Sequence, residues 1–528
     1  MKHQRYILVA LFLYLVVVTG LLYFVLQNWA YDDPFITYRY AANLQHGLGF
    51  VYNPGERALS TTTPLFTLLL ALLGNLWPDL PHLANLLGAF SLALGGLFLW
   101  DLAHTWQAPL VGWSGLLLYP TFPLLISTLG SETPLYLAFC LGAFTFYARK
   151  RYPLTAVCVA LAILTRPDGI LVAFILAAHY FLRIRRPVPW LALALFLGLT
   201  VPWFAFAWAY FGSPLPATLA VKQHQGAMAI SQRFAPGLLT ILGWYPRWPY
   251  LLEAGLAAAG TLFMFRRAHH WALFLAWTML YFLAYSALGV SRYFWYYAPL
   301  VPGFIVLLGL GISSISNSPP PKPPFLGISG KSNSPPPNSP LLGISGKSNS
   351  PPPNSPLLGI SGKSNSPPPN SPLLGIWGRP GGGRIVMLAL FLYLVSAQAY
   401  DLGQLRQQSD NRLVIYPVVG EWLRDHTPPQ ASVGTLEVGM IGYYSQRRMI
   451  DFAGLIQPQV SSQLTTHTTY EDTALWAVEH YRPDYLVLHE NLFPRLEQGY
   501  AALHCIVIKH FPGKTYGYST DLNVYACK

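Results

Sequence analysis

Two adjacent carboxylates, Asp32 and Asp33, open the stretch YDDPFITYRYAANLQHGLGFVYNPGERALSTTTPLF (31–66), directly after an apolar run from Tyr6 to Leu26. Charges at the mouth of a membrane-length run are costly and tend to mark function. Further charges interrupt later apolar runs: Glu132 in GSETPL, Arg166 and Asp168 in LTRPDG, Lys222 beside His224, and Arg292 in SRYFWYY. Carboxylates beside cations suit a reaction between a hydroxyl and a phosphate-linked substrate. The carboxylate accepts the hydroxyl proton as the oxygen attacks, and Arg or Lys holds the phosphate and stabilises its departing charge. Asp32, Asp33 and Glu132 are therefore the catalytic candidates, and Arg166, Lys222 and Arg292 the phosphate-binding candidates. Asp168, Arg39 and His224 complete the set.

Each has a plainer reading. The acidic pair serves equally as a solvated helix cap, and Glu132 as a favourable charge at a helix N-terminus. Arg166 before Pro167 fits a turn with a snorkelling cation. Arg292 fits an interfacial anchor in an aromatic belt, and His224 a surface side chain. No His/Cys cluster has metal-ligand spacing, and neither a Walker-type glycine loop nor GxSxG occurs.

The elements that must position these residues are membrane spans. Of 528 residues, 53% are hydrophobic and only 10% charged, and mean hydropathy is +0.37; soluble domains carry about 25% charged residues. The net charge of +12 sits in short clusters between apolar runs. The positive-inside rule predicts that pattern and it argues against a nucleic-acid partner. Tyr6–Leu26 is long enough to cross a bilayer. Its basic start, Lys2, His3 and Arg5, places the N-terminus in the cytoplasm and the acidic pair outside.

Arg149-Lys150-Arg151 is the next cytoplasmic cluster, so three spans precede it: His82–Ala103, Leu110–Thr128 and Pro134–Ala148. Thr61–Trp77 then lies along the interface, because a fourth span would put Arg149 outside. Seven more follow: Thr155–Leu164, Ile170–Leu182, Trp190–Tyr210, Tyr250–Phe265, Trp271–Gly289, Tyr296–Ile312 and Ile385–Tyr400. The expected architecture has about eleven membrane helices. Residues 1–312 form the first membrane module, with an outer loop over 27–81, and 385–400 the last span.

Between them, 313–384 carries GKSNSPPPNSPLLGIS from Gly330, repeated from Gly346 and again, with a changed ending, from Gly362. Its Pro, Ser, Asn and Gly content predicts a disordered cytoplasmic linker. The tail, 401–528, predicts a small α/β domain outside the membrane. RLVIYPVVGEWLRDH reads as a strand running into a helix, ASVGTLEVGMIGYYS and RRMIDFAG as short strands, 473–480 as a helix and YLVLHE as a buried strand. Cys505 and Cys527 can pair if this tail is outside the cytoplasm; Cys140 and Cys158 read as packing residues.

YDDPFITYRYAANLQHGLGFVYNPGE, TTTPLFTLLLALL, GSETPLYLA, LTRPDG, FGSPLPATLAVK and SRYFWYYAPLVPG resemble, in order, the bacterial GT-C glycosyltransferases. That group includes protein O-mannosyltransferases, aminoarabinose transferases and mycobacterial arabinofuranosyltransferases. The resemblance runs to about Phe304, resumes at VGTLEVGMIGYYSQRRMIDFAGL and skips the repeats. It implies a GT-C-like membrane fold and an inverting transfer of sugar from a polyprenyl-phosphate donor to a glycan, lipid or protein hydroxyl. It places that reaction at the outer face of the cytoplasmic membrane, among membrane lipids. It implies Asp32 or Asp33 as base, Glu132 as the second acid and Arg166 as a phosphate contact. Some members use a divalent metal, magnesium or manganese, and others none, so the metal stays open. A flippase for lipid-linked sugars and a non-catalytic scaffold are the competing readings; the chain lacks the matching halves with broken helices that transporters tend to show.

Overall fold

The computed structural model of the chain describes residues 2–216, 218–228, 231–245, 247–315, 383–407, 412–465 and 467–528. The tandem repeats lie outside the described residues.

Helix α1 (Lys2–Leu26) is apolar on all sides, as a lipid-facing span requires. The loop that follows holds α2 (Pro34–Gln45) and α3 (Pro64–Leu73), each opened by a proline, whose missing N–H and fixed φ suit a first helical turn. Next come α4 (Leu80–Thr105), α5 (Pro109–Leu117), α6 (Pro123–Ile126), α7 (Thr133–Ala148), α8 (Tyr152–Thr165), α9 (Ile170–His179) and α10 (Trp190–Phe211). After them follow α11 (Thr218–Ala227), α12 (Phe234–Leu242), α13 (Trp248–Arg267), α14 (Ala272–Leu288), α15 (Val301–Ile315) and α16 (Gly383–Gln407). Among the described residues, seven helices are long and apolar enough to cross a membrane: α1, α4, α9 with its flanking turns, α10, α14, α15 and α16. Helices α3, α7 and α8 are apolar but shorter. The chain is a multi-pass membrane protein. The expected span over 110–128 is not one helix: α5 ends at Leu117 and α6 starts at Pro123. Pro120 and Pro123 prevent a continuous helix there.

Two contacts bring α13 and α15 together. A Cβ on Gly260 (α13) would lie 1.9 Å from the Leu307 carbonyl oxygen, and one on Gly311 (α15) 1.8 Å from that of Leu256. Only glycine lets these two helices approach so closely. Helix α16 is held by polar groups instead: Thr121 donates to Gln398 at 2.7 Å, and Gln398 donates to buried Glu253 at 3.4 Å. One turn on, Asp401 accepts from Tyr250 at 2.5 Å and pairs with Arg247.

The C-terminal unit begins with α17 (Arg412–His426) and continues through β1 (Ser432–Thr435), α18 (Met440–Ser445), β2 (Arg448–Asp451), α19 (Pro458–Ser461) and α20 (Tyr470–Tyr481). It ends with β3 (Tyr485–His489), β4 (Cys505–Phe511) and β5 (Leu522–Cys527). The sheet order is β2-β1-β3-β5-β4, with β1 parallel to β2 and β3, and β5 antiparallel to both its neighbours. Cys505 and Cys527 sit opposite each other on β4 and β5 and form a disulfide. Two expectations fail. Residues 412–426 are helical throughout, Pro417 included, because Ile415, Val419 and Leu423 recur at four-residue spacing and are buried together. Residues 440–445 are helical rather than extended, for a reason found in the first loop.

That loop belongs to the C-terminal unit as much as to the bundle. Phe35, Tyr38, Tyr40, Phe50 and Tyr52 share one buried cluster with Ile415, Val433, Met440, Ile441 and Met449. Asn53 exchanges hydrogen bonds with the Met449 backbone at 2.8 and 3.0 Å, extending the β2 edge with a side-chain amide. Arg448 pairs with Glu56 at 2.6 Å.

Candidate active site

A cavity of about 390 Å³ opens between the first loop, the turn before α7, the turn before α9 and helix α11. Asp33, Glu132, Arg166, Asp168 and Lys222 all line it. Asp33 is the N-cap residue of α2, where Pro34 starts the helix. Glu132 occupies the equivalent place before α7. It is brought near by Tyr38, which donates to the Gly130 carbonyl, and by the Trp29 indole, which donates to Ser127 at 3.1 Å. Arg166 leaves α8 in an extended conformation, and Pro167–Gly169 forms a single 3₁₀ turn that folds Asp168 back onto it.

The site divides into two ion clusters. In the first, Arg166 has every N–H direction committed. Its Nε and Nη2 contact Asp168 at 3.0–3.2 Å, Nη1 contacts Glu132 at 3.3 Å and Thr133 at 3.1 Å, and Nη2 also reaches Tyr285 at 3.0 Å. Burial raises the Glu132 carboxyl pKa above its usual range, and Arg166 offsets this only in part. In the second cluster, Lys222 Nζ donates to Asp33 Oδ2 at 3.0 Å. It also lies 4.3 Å from the centre of the Tyr293 ring and 5.7 Å from that of Trp295. Burial is the largest single influence and works against the ammonium, but Asp33, Tyr293 and Tyr296 together overcome it and raise the Lys222 pKa above the usual lysine value.

Asp32 plays a different part from Asp33. It does not line the cavity; its carboxylate accepts the backbone N–H groups of Met440 at 2.7 Å and Gly439 at 3.2 Å. That bond starts α18 and explains why 440–445 is helical. A Cβ at position 439 would lie 2.4 Å from Asp32 Oδ2, so glycine is required there. Burial raises the Asp32 carboxyl pKa above its usual range, with the two backbone donors opposing. Glu437 faces it and is likewise raised, chiefly by burial.

Three other candidates lie away from the cavity. Arg39 is buried and donates to the carbonyls of Tyr52, Gly442 and Arg447, so it joins the first loop to the C-terminal unit. Arg292 bonds Gln232 through its backbone and packs its Cβ toward Gly237, outside the lining. His224 points elsewhere on α11, and its buried Nε2 has no hydrogen-bond partner among the described residues.

The cavity also has groups the sequence did not single out. Thr37, Thr61 and Thr63 meet in a hydroxyl cluster with separations of 3.0–3.5 Å, and Ser60 and Thr62 continue this wall. Tyr31 stacks on Trp295 at 5.1 Å, and Leu455 enters from the C-terminal unit. The run TTTP and the paired aromatics of YFWYY were visible signals for the first two; nothing marked Leu455. Ile170, Leu171, Leu215, Leu219 and Leu288 supply apolar lining. Among the described residues no group of three His, Cys, Asp or Glu side chains can hold a metal ion. Asp33 is paired to Lys222, and Glu132 and Asp168 to Arg166.

A family model described as a domain of unknown function, DUF8728, matches residues 403–525. No curated protein sequence matches the chain. Among solved structures, ArnT from Cupriavidus metallidurans bound to undecaprenyl phosphate is similar at a TM-score of 0.55 and 14% identity, over 97% of each chain. The same protein in the apo state gives 0.56 and 13%, over 100% of this chain and 98% of that one. The Archaeoglobus fulgidus oligosaccharyltransferase, tethered to an acceptor peptide, gives 0.51 and 13%, over 93% of this chain and 70% of its own. At such identities the likeness is one of architecture: the chain has a GT-C-like fold.

Proposed function

We propose that the chain is a membrane glycosyltransferase that moves a sugar from a polyprenyl-phosphate donor to an acceptor hydroxyl. In this reading the cavity lies at the outer face of the cytoplasmic membrane and the C-terminal unit lies outside. The observation that carries the reading is the Asp33–Lys222 pair in a cavity with both apolar and hydroxyl lining. An apolar groove beside a cation suits a lipid phosphate, and hydroxyls with a stacked aromatic pair suit a sugar ring. The fold likeness to a protein solved with undecaprenyl phosphate supports the donor class.

The acceptor oxygen attacks the anomeric carbon from the face opposite the phosphate. The bond from that carbon to the phosphate oxygen breaks, its electrons leave with the lipid phosphate, and Asp33 takes the hydroxyl proton. Attack from the opposite face inverts the anomeric centre. Lys222 supplies positive charge where the leaving phosphate gains negative charge, while Arg166, held by Asp168 and Glu132, keeps those carboxylates in place on the cavity wall. Holding donor and acceptor together in a cavity that Leu455 also lines supplies much of the remaining acceleration.

The test is transfer from a panel of radiolabelled polyprenyl-phosphate sugars by membranes carrying wild type, Asp33→Asn or Asp32→Asn. Loss of a general base lowers the rate by about 10²–10⁴, and that loss is expected for Asp33→Asn. Asp32→Asn keeps a carbonyl oxygen for one backbone donor and retains more activity. Equal transfer by wild type and Asp33→Asn rejects the assignment.

A further inference from the structure

The two cations of the cavity differ in what they have left to give. Arg166 is fixed by a bidentate carboxylate, a second carboxylate, a threonine and a tyrosine. Engaging a phosphate there means dismantling a planar fork already matched to Asp168. Lys222 has a single carboxylate partner, Asp33, and its remaining donors face the rings of Tyr293 and Trp295. An ammonium on a flexible stem changes partner easily. The Asp33 side chain is 35% exposed and that of Lys222 11%, so the pair lies at the cavity edge, within reach of an incoming ligand.

On the reading that this cavity takes a polyprenyl phosphate, we propose that Lys222 is exchanged between Asp33 and the donor phosphate, so that donor binding is what frees Asp33 to act as base. Without donor, the ammonium occupies the Asp33 oxygen that would receive the acceptor proton. The donor's phosphodiester, which carries one negative charge, takes the place of the carboxylate on the ammonium. Asp33 then faces the cavity without its counter-ion, near Glu132 and the bound phosphate, and like charges favour proton uptake. Arg166 and Asp168 stay paired throughout. The other charged or titratable groups around the pair include Tyr31, Tyr293, Tyr296, Tyr470, Asp32 and Glu437, with Arg412 beside the last two. The device ties base competence to donor occupancy, so an acceptor entering first meets a neutralised carboxylate.

The exchange has a signature in binding alone. Undecaprenyl phosphate binding to purified full-length protein is measured for wild type, Asp33→Asn, Lys222→Met and the double variant, with thermal unfolding as the folding control. If phosphate must draw Lys222 from Asp33, Asp33→Asn binds the lipid phosphate more tightly, by on the order of tenfold for a partly exposed pair. Lys222→Met binds it more weakly. In the Lys222→Met background the Asp33→Asn gain disappears. A gain that persists there is simple relief of charge repulsion and overturns the exchange, as does no gain at all. If Lys222→Met does not fold, Lys222→Gln takes its place, and Lys222→Arg must retain the gain. A wild type that fails to bind undecaprenyl phosphate rejects the donor assignment itself, and that result differs from binding without coupling.

Discussion

Arg39→Met tests whether the first loop and the C-terminal unit form one body. Arg39 is 5% exposed, its guanidinium lies 4.4 Å over the Tyr52 ring, and its hydrogen-bond partners are three carbonyls. Burial lowers its pKa below the usual arginine value, so the charge is retained against its surroundings. The three carbonyls are not equally dependent on it. Tyr52 O also accepts from Asn43 at 2.8 Å, and Gly442 O from the Gln446 N–H at 3.2 Å. Arg447 O depends on Arg39 most. Methionine fills a similar volume, orphans one carbonyl at about 1–3 kcal/mol and removes two second bonds at about 0.5–1 kcal/mol each. The expected loss is about 2–5 kcal/mol in the contact between the two parts. Hydrogen exchange reads this directly, since the amides of Gly439 and Met440 are protected by Asp32 across the same contact. Their exchange should accelerate by about 30-fold to 5 × 10³-fold if opening is local. Arg39→Lys, able to reach one carbonyl, should fall between. Unchanged exchange over 438–449 in Arg39→Met refutes the idea that this residue joins the parts.

His489 is buried between the hydroxyls of Tyr416 at 3.1 Å and Tyr518 at 3.3 Å, and burial lowers its pKa from 6.5 to about 4. A histidine depressed in the fold stabilises it above the unfolded value, and that stability is lost as pH falls from 6.5 toward 4, by up to about 3 kcal/mol. Asp451, raised by burial to about 6, slopes the other way as pH falls toward 4, so the comparison is wild type against His489→Asn, in which the histidine share of the slope vanishes. Gly311→Ala forces α13 and α15 apart and should lower the thermal midpoint, at a cost of about 1–3 kcal/mol or more; an unchanged midpoint would mean the helices shift freely. Cys505→Ser with Cys527→Ser opens a loop of 22-residue separation and should destabilise the C-terminal unit by about 3 kcal/mol, seen as earlier unfolding that reductant reproduces in wild type.

The membrane character and the order of charged turns were legible because both are written in local composition. Asp33, Glu132, Arg166, Asp168 and Lys222 could be gathered from charge placement alone, and all line one cavity. What separated Asp33 from Asp32 was not local. Adjacent residues of the same type diverge because a backbone more than 400 positions later presents two N–H groups to one of them. The same distance hid the role of Arg39, whose partners at 442 and 447 carry no sequence mark. The helix at 412–426 was misread because LVIYPVV has strand-like residue types and a proline, while its period of burial is helical. The break in 110–128 was readable from Pro120 and Pro123, but hydropathy hid it.

Helix α16 carries its own anchorage, from Gln398 to Glu253 and from Asp401 to Arg247 and Tyr250. Its depth in the bundle is therefore set by side chains within the helix and its partners, independent of the chain length arriving at its start. Tandem 16-residue units upstream can be gained or lost by copying errors while α16 keeps its seat and α17 leaves from the same point. The repeat tract is thus free to vary in number without moving the segments after β1 and β2 that carry Gly439 and Leu455.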